Sequence, residues 1–220
     1  MKDKKREELM KPFKSEDIEW RIQQSGKTQD GKVWGMCLAY VTNRAIMERL
    51  DDLFGIFGWK NEFMPTPNND GVMCGISVKH DGEWITKYDG AQNTDIEAVK
   101  GGISSAMKRT AVQFGIGRYL YNLEAGFVQV VEKGTAGAKY AQTKDKTSFY
   151  WLPPTLPNWA LPIEQVQIKI IDELVIKKGA NKEDMLDYFG LSSEHEATKS
   201  QGVTMIELLS KKKDIEVKND

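Results

Sequence analysis

The stretch YDGAQNTDIEAVKGGISSAMKRTAVQFGIGRYLYNLE, from Tyr88 to Glu124, decides the fold. Its segment Thr94-Asp95-Ile96-Glu97 has the pattern of a capping box, in which the threonine hydroxyl and the glutamate carboxylate each satisfy a backbone donor of a first helical turn. Apolar residues then recur at intervals of three and four, as on the buried side of a helix; they are Ile96, Val99, Ile103, Met107, Thr110 and Phe114. The stretch therefore predicts a helix from Thr94 to Gln113 that ends before Gly115.

A second face of this predicted helix carries little side-chain bulk before it reaches two cations. Gly101, Ser104 and Ser105 precede Lys108 and Arg109. Such a face can let an extended polyanion lie close to the backbone and meet fixed charges at its end. The small residues can instead let another element pack closely, with both cations solvated, and spacing alone favours this second interpretation. Because both cations lie off the apolar stripe, we expect their truncation to cost little stability.

Alternation and apolar runs predict strands upstream of the helix. Ile18 to Gln23 alternates, with Arg21 on the face away from the apolar residues. Val33 to Val41 is almost continuously apolar, which is typical of a central strand. The dipeptide Asp81-Gly82 is a two-residue hairpin signal, and counting back from it places Lys79 opposite Trp84.

One face of the predicted hairpin combines cationic and aromatic groups. Lys79, Trp84, Thr86 and Tyr88 share this face. Side chains of these types hold single strands by charge and by base stacking. The alternative, which the residues favour, is that Trp84 and Tyr88 pack under the helix or at a subunit contact.

Arg44 lies in the first turn of a further predicted helix, which begins at Asn43. A cation in this position opposes the helix dipole and adds no stability, so a role in binding would explain it. The alternative is an ion pair with Glu48, four residues later on the same helix face. The residues alone leave the two interpretations equal.

Two segments of unusual composition follow residue 131. Glu132 to Ser148 is rich in Gly, Ala, Lys and Thr and predicts a mobile surface loop. Trp151 to Pro162 holds four of the seven prolines and predicts a stiff connector. Helical apolar spacing follows. We therefore expect a domain over residues 1–131, a loop and connector over 132–162, and a small helical domain over 163–220.

Composition narrows the classes of function. The net charge of -1 excludes a generally basic nucleic-acid binder, so a DNA site must be a local concentration of charge. The two cysteines, Cys37 and Cys74, and the two histidines, His80 and His195, form no plausible zinc-binding pattern, and both cysteines are expected to be buried thiols. The charged N-terminus and the lack of a long apolar run predict a soluble, intracellular protein.

The segment KGGISSAMKRTAVQFGIGRYLY resembles the Rad52 family of single-strand annealing proteins, and most closely its phage and prophage branch, the Sak-type recombinases. The resemblance extends upstream through IEWRIQQSG and AYVTNRAIMERLDDLFGIFGW to YDGAQ, and it covers roughly Glu16 to Leu123. It implies an α+β fold with a β-β-β-α annealing core, in which an antiparallel sheet packs on a helix, followed by a small C-terminal helical unit.

The resemblance also implies a function and its residues. The resemblance carries over a DNA-binding role in an inner groove only to Arg44, Lys108 and Arg109. From the strand patterns alone, Arg21, Lys79, Trp84 and Tyr88 are candidates for a second DNA contact. The expected protein binds single-stranded DNA and anneals it without ATP, a metal, a cofactor or catalytic residues, in phage-type homologous recombination and DNA repair. It would form a homo-oligomeric ring or helical multimer in the cytoplasm of a bacterial host, encoded by a phage or prophage. Its C-terminal unit would contact the host single-stranded DNA binding protein.

Two positions depart from the family pattern. Ile56 stands where the eukaryotic member has an aromatic residue, and Val112 stands where it has a further arginine, so the resemblance implies a less basic groove here. A metal-dependent nuclease of a recombination module is an alternative function, with Asp81, Asp89 and Asp95 as its candidate acids. An oligomeric protein-binding scaffold is another.

Overall fold

The computed structural model describes residues 4–92 and 98–214. The predicted capping box, Thr94 to Glu97, lies outside the described residues, and so does Ile96 of the apolar stripe. Two compact units make up the chain: a β-rich unit, Ser15–Thr155, and a helical unit formed by Met1–Lys14 with Leu156–Asp220. None of the described helices is both long enough and apolar enough to span a membrane.

The described residues form α-helices and β-strands, numbered here in chain order. The helices are α1 (Lys4–Met10), α2 (Asn43–Phe54), α3 (Ala98–Gln113), α4 (Gln165–Lys178), α5 (Lys182–Phe189) and α6 (Lys199–Ser210). The strands are β1 (Ile18–Lys27), β2 (Val33–Val41), β3 (Trp59–Pro65), β4 (Gly71–His80), β5 (Glu83–Gln92), β6 (Gly126–Phe127), β7 (Gln129–Val131), β8 (Lys139–Gln142) and β9 (Ser148–Leu152).

The β-rich unit contains three antiparallel sheets, with the strand orders β1-β2-β6, β3-β4-β5 and β7-β9-β8. Strand β2 is central in the first sheet, as its apolar run predicts. The β4-β5 hairpin has the predicted register, with Lys79 opposite Trp84. At its turn, Asp81 and Gly82 have φ angles of 50° and 87°. Both values are left-handed, as a two-residue type I′ turn requires.

Helix α3 packs on the β3-β4-β5 sheet and closes the main core of the β-rich unit. Cys74 and Ile76 of β4 and Met107 of α3 are buried there. The hydroxyl oxygen of Thr110 lies 2.9 Å from the carbonyl oxygens of both Cys74 and Ala106, so this buried polar group has acceptors within reach. The predicted α+β class, with an antiparallel sheet packed on a helix, is confirmed.

Both cysteines are free, buried thiols, as the sequence predicts. Cys37 lies in the middle of β2 and Cys74 in the middle of β4. Burial raises the pKa of both thiols, that of Cys74 to about 11. The two side chains therefore serve as small apolar groups in the two cores of the β-rich unit.

Residues 132–148 differ from the mobile loop that their composition predicts. Strand β8 lies inside this range, and it pairs with β9, so that Ala141 stands opposite Phe149. Phe149 and Trp151 alternate on the inner face of β9 and are buried with Cys37 and Val128 in a second core. The Gly and Lys residues of the connecting turns dominate the composition and hide this short alternation, which is why the sequence suggests a loop.

The helical unit has its own core, so the predicted C-terminal helical region is confirmed. Its buried residues lie on α4 and α6 and just before them; they are Ile163, Ile168, Ile171, Ala197, Met205 and Leu209. Helix α6 begins with a capping box, in which the Thr198 side chain accepts from the backbone of Gln201 and the Gln201 side chain accepts from the backbone of Thr198. Both termini of α4 are also capped, by Glu164 and by Gly179.

Candidate nucleic-acid interface

A cavity of about 850 Å³ lies between strands β1 and β2, helix α3 and the segment that follows α3. Strand β1 places Trp20 and Ile22 against the second core, so Arg21 between them points to the opposite side. Helix α3 presents Ser105, Lys108 and Arg109 to the same cavity. The structure thus brings Arg21, Lys108 and Arg109 together around one opening.

Lys108 is buried, which overturns the expectation that it lies on a bare, solvated helix face. Only 9% of its side chain is exposed, and its ammonium group donates to Glu19 Oε1 on β1. The guanidinium nitrogen Nη2 of Arg21 lies 2.9 Å from the same carboxylate oxygen. Glu19 therefore holds two cations that come from two different elements.

Burial and neighbouring charges have opposite effects on the pKa values of Lys108 and Glu19. Loss of water lowers the pKa of Lys108, and its contact with Glu19 counteracts this effect in part. Burial favours the neutral form of Glu19, but the hydrogen bonds and charges of Lys108 and Arg21 outweigh burial and lower the pKa of Glu19. The Glu19 carboxylate is consequently ionised at neutral pH, as the counter-ion of a buried lysine should be.

Arg109 is the more accessible of the two adjacent cations. Its side chain is 56% exposed, and its Nε lies 3.1 Å from Oδ1 of Asp89 on β5. The same Asp89 oxygen accepts a hydrogen bond from the backbone N–H of Gly90 at 2.8 Å. Because Asp89 is fixed by its own backbone, it holds the Arg109 guanidinium at the cavity edge while leaving much of it in solvent.

Arg44 lies apart from this cluster in the described structure, since it does not belong to the described residues that line the cavity. Its guanidinium is 68% exposed and lies 3.7 Å from a carboxylate oxygen of Glu48 and 3.8 Å from one of Asp17. The pairing with Glu48 that the spacing suggested is therefore present. Long, exposed pairs of this kind contribute little to stability, so the Arg44 charge remains available to a phosphate.

The four residues predicted to form a second DNA contact do not lie together in the structure. Arg21 lies in the cavity, whereas Lys79, Trp84 and Tyr88 lie on the face of the β3-β4-β5 sheet that also carries Ser77 and Thr86. Trp84 and Tyr88 are both largely exposed, so they do not pack under α3. The ammonium group of Lys60, on neighbouring β3, lies 5.7 Å from the centre of the Trp84 ring.

Sequence reasoning missed the acidic partners of these cations. Glu19 shares a face with Arg21 because they are two residues apart on a strand, so the alternation of β1 contains a signal for that pair. The contacts of Glu19 with Lys108 and of Asp89 with Arg109 join distant parts of the chain and have no local signal. Tyr40 and Tyr121, which also line the cavity, were not singled out either.

The candidate acids of a nuclease do not converge in the part of the chain that the structure describes. Asp81 forms the hairpin turn, Asp89 pairs with Arg109, and Asp95 lies outside the described residues. Across residues 4–92 and 98–214, no three His, Cys, Asp or Glu side chains are arranged to hold a metal ion. The described arrangement instead offers cations beside an open cavity, which suits an anionic ligand.

The residues that line the cavity lie within the part of the chain that is similar to known proteins. A family model described as "Rad52/22 family double-strand break repair protein" matches residues 3–139. The single-stranded DNA-binding protein DdrA of Deinococcus deserti is 29% identical over 160 residues, which cover 70% of this chain and 68% of the relative. DdrA of Deinococcus radiodurans is 29% identical over 161 residues, which cover 70% of this chain and 66% of the relative.

The different burial of the two adjacent cations predicts different effects on stability. We expect Lys108→Ala to lower the free energy of unfolding by about 1–3 kcal/mol, because it removes one partner of a partly buried carboxylate. Arg109→Ala should change it by less than about 0.5 kcal/mol, since its pair is exposed. Urea denaturation followed by circular dichroism would measure both variants, and equal losses of stability would contradict the assignment of Lys108 as a buried ion-pair residue.

Proposed function

This chain belongs to the Rad52/22 family of double-strand break repair proteins, and from that premise we propose that it binds single-stranded DNA and anneals complementary strands without ATP. The observation that carries the proposal is the convergence of Arg21, Lys108 and Arg109 on one cavity of about 850 Å³. The names of the two Deinococcus relatives, single-stranded DNA-binding proteins, support the choice of ligand.

Local charge supports phosphate binding although the whole chain is slightly acidic. Three cations at the cavity face two carboxylates, those of Glu19 and Asp89, which leaves a local excess of one positive charge. Contacts of Lys and Arg with phosphates release counter-ions and do not depend on base sequence. Annealing needs this kind of contact, because the strand must be held by its backbone while its base edges remain free to pair.

Aromatic groups beside the cations support a single strand as the ligand. Tyr40 and Tyr121 line the cavity, and Tyr121 is largely exposed. Exposed aromatic rings next to a cationic groove stack with unpaired bases whatever their sequence. The face of Lys79, Trp84 and Tyr88 offers the same combination and remains our candidate for a second DNA contact, with Lys60 as an added cation.

The finer parts of the proposal follow from the sequence resemblance. We propose that the chain assembles into a homo-oligomeric ring or helical multimer, and that it acts in phage-type recombination in the cytoplasm of a bacterial host, encoded by a phage or prophage. Arg44 then contributes to the same DNA path through the assembly, although it does not line the cavity of one chain. Its exposed guanidinium is compatible with that role.

Replacement of single cations should separate DNA contacts from other charges. We expect Arg109→Ala and Arg44→Ala each to weaken binding of an oligo-dT strand and to reduce the slope of log affinity against log salt by about 0.7, the value for one phosphate contact on a single strand. Lys169→Ala, which removes an exposed cation of α4 in the helical unit, is the control. Fluorescence anisotropy at several salt concentrations would measure all three, and unchanged slopes for both arginine variants would place the DNA path elsewhere.

An annealing assay distinguishes the proposed function from its alternatives. Two labelled complementary strands are mixed with the protein, with and without magnesium and in the absence of ATP. We expect duplex formation under both conditions, because phosphate neutralisation needs neither metal nor nucleotide. Magnesium-dependent cleavage would support a nuclease, and absence of binding would support a protein-binding scaffold. Sedimentation of the same sample should give a mass well above that of one chain, and a monomer would refute the oligomer.

The helical unit is our candidate for contact with the host single-stranded DNA binding protein. Val166, Ile176 and Tyr188 are strongly exposed on its helices, and such side chains often mark protein contacts. We expect Ile176→Asp with Tyr188→Asp to leave annealing of naked strands unchanged and to slow annealing of strands coated with that protein. Equal rates on coated strands for the variant and the wild type would exclude this surface as the contact.

A further inference from the structure

The described cations at the cavity are each held by an acidic side chain of the same chain. Asp89 holds Arg109, and the single carboxylate of Glu19 holds both Arg21 and Lys108. A phosphate must compete with these carboxylates for the same donors. Glu19 should compete more strongly than Asp89, because it contacts two of the three cations at once.

The geometry of Glu19 resembles the way in which proteins hold a phosphate. One of its oxygens accepts from Lys108 and lies 2.9 Å from Arg21 Nη2, so an ammonium and a guanidinium from α3 and β1 converge on one anionic oxygen. Charge-assisted bonds from Arg and Lys to an oxyanion are the strongest class of hydrogen bond in proteins. The same donors are therefore already placed to receive an oxygen of a phosphodiester.

Both cations can leave Glu19 for an anion in the cavity. Arg21 and Lys108 line the cavity, whereas Glu19 is not among its described lining residues. Almost half of the Arg21 side chain is exposed, and both side chains are long and flexible. A strand that enters the cavity meets the exposed guanidinium of Arg21 first, and the buried Lys108 lines the same cavity.

We propose that Glu19 is an intramolecular competitor of DNA, and that a strand binds tightly only when Arg21 and Lys108 turn from this carboxylate to a backbone phosphate. This inference rests on the proposed binding of single-stranded DNA and adds a residue that limits its affinity. Glu19 keeps the two cations paired while the cavity is empty. When DNA binds, a backbone phosphate replaces the Glu19 carboxylate as the partner of the two cations.

The exchange has a measurable signature. Neutralising Glu19 removes the competing anion and increases the local excess of positive charge from one to two. We expect Glu19→Gln to bind oligo-dT about 5- to 30-fold more tightly at low salt, and to steepen the salt dependence by up to about 0.7 for one added phosphate contact. A side chain that merely fixed the groove would give the opposite result, because its loss would loosen the cations and weaken binding.

The test compares Glu19→Gln with a matched variant by fluorescence anisotropy over a range of salt concentrations. Glu194→Gln makes the same change of charge in the helical unit, where Glu194 lies 2.8 Å from Lys182 in an ion pair. We expect the control to stay within about 2-fold of the wild type, since it changes the net charge equally but removes no partner of Arg21, Lys108 or Arg109. Wild-type or weaker affinity of folded Glu19→Gln would overturn the proposal.

A second variant covers the case in which Glu19→Gln does not fold. Glu19→Asp keeps the charge that Lys108 needs and withdraws the carboxylate by one methylene group, so we expect a smaller tightening, about 2- to 5-fold. Unchanged or weaker binding of this variant would also overturn the proposal. Failure of the proposed function itself has a different readout, because the wild-type protein would then show no salt-dependent binding of oligo-dT.

Discussion

The contact between Lys108 and Glu19 connects the parts of the β-rich unit on which the site depends. Helix α3 is packed through Met107 and Thr110 on the β3-β4-β5 sheet, and its other side faces β1 and β2 across a cavity. A buried lysine needs an anion beside it, and in this structure the anion is Glu19 of β1. The width of the opening is thus set by a charge pair as well as by apolar packing.

This arrangement explains how a chain with a net charge of -1 can present a surface suited to a polyanion. Its cations at the cavity come from a strand and a helix, which are rigid elements, and their partners are carboxylates placed to one side of the opening. Long-range attraction of DNA is weak for such a protein, because neighbouring charges cancel at a distance. Under the proposed function, recognition of the strand therefore depends on close contacts with these cations.

The parts of the fold that the sequence predicts well are governed by local rules. Strand β2 follows from a continuous apolar run, and the β4-β5 register follows from the Asp81-Gly82 turn. The pairing of Arg44 with Glu48 is one of the two interpretations that the spacing left open. The site was predicted less completely. Local periodicity shows that Lys108 lies off the apolar stripe, but not that Glu19, 89 residues earlier, removes it from solvent. The sequence does not predict strands β8 and β9, because β8 contributes only Ala141 to the second core and β9 only Phe149 and Trp151.

The two buried thiols bear on the chemical conditions under which this protein can work. A thiol reacts with peroxides and with disulfides as its thiolate, and burial raises the pKa of Cys37 and that of Cys74, the latter to about 11. Each side chain is also closed off from solvent. Oxidants that damage DNA therefore find no reactive sulfur at these two positions in the cores around β2 and β4.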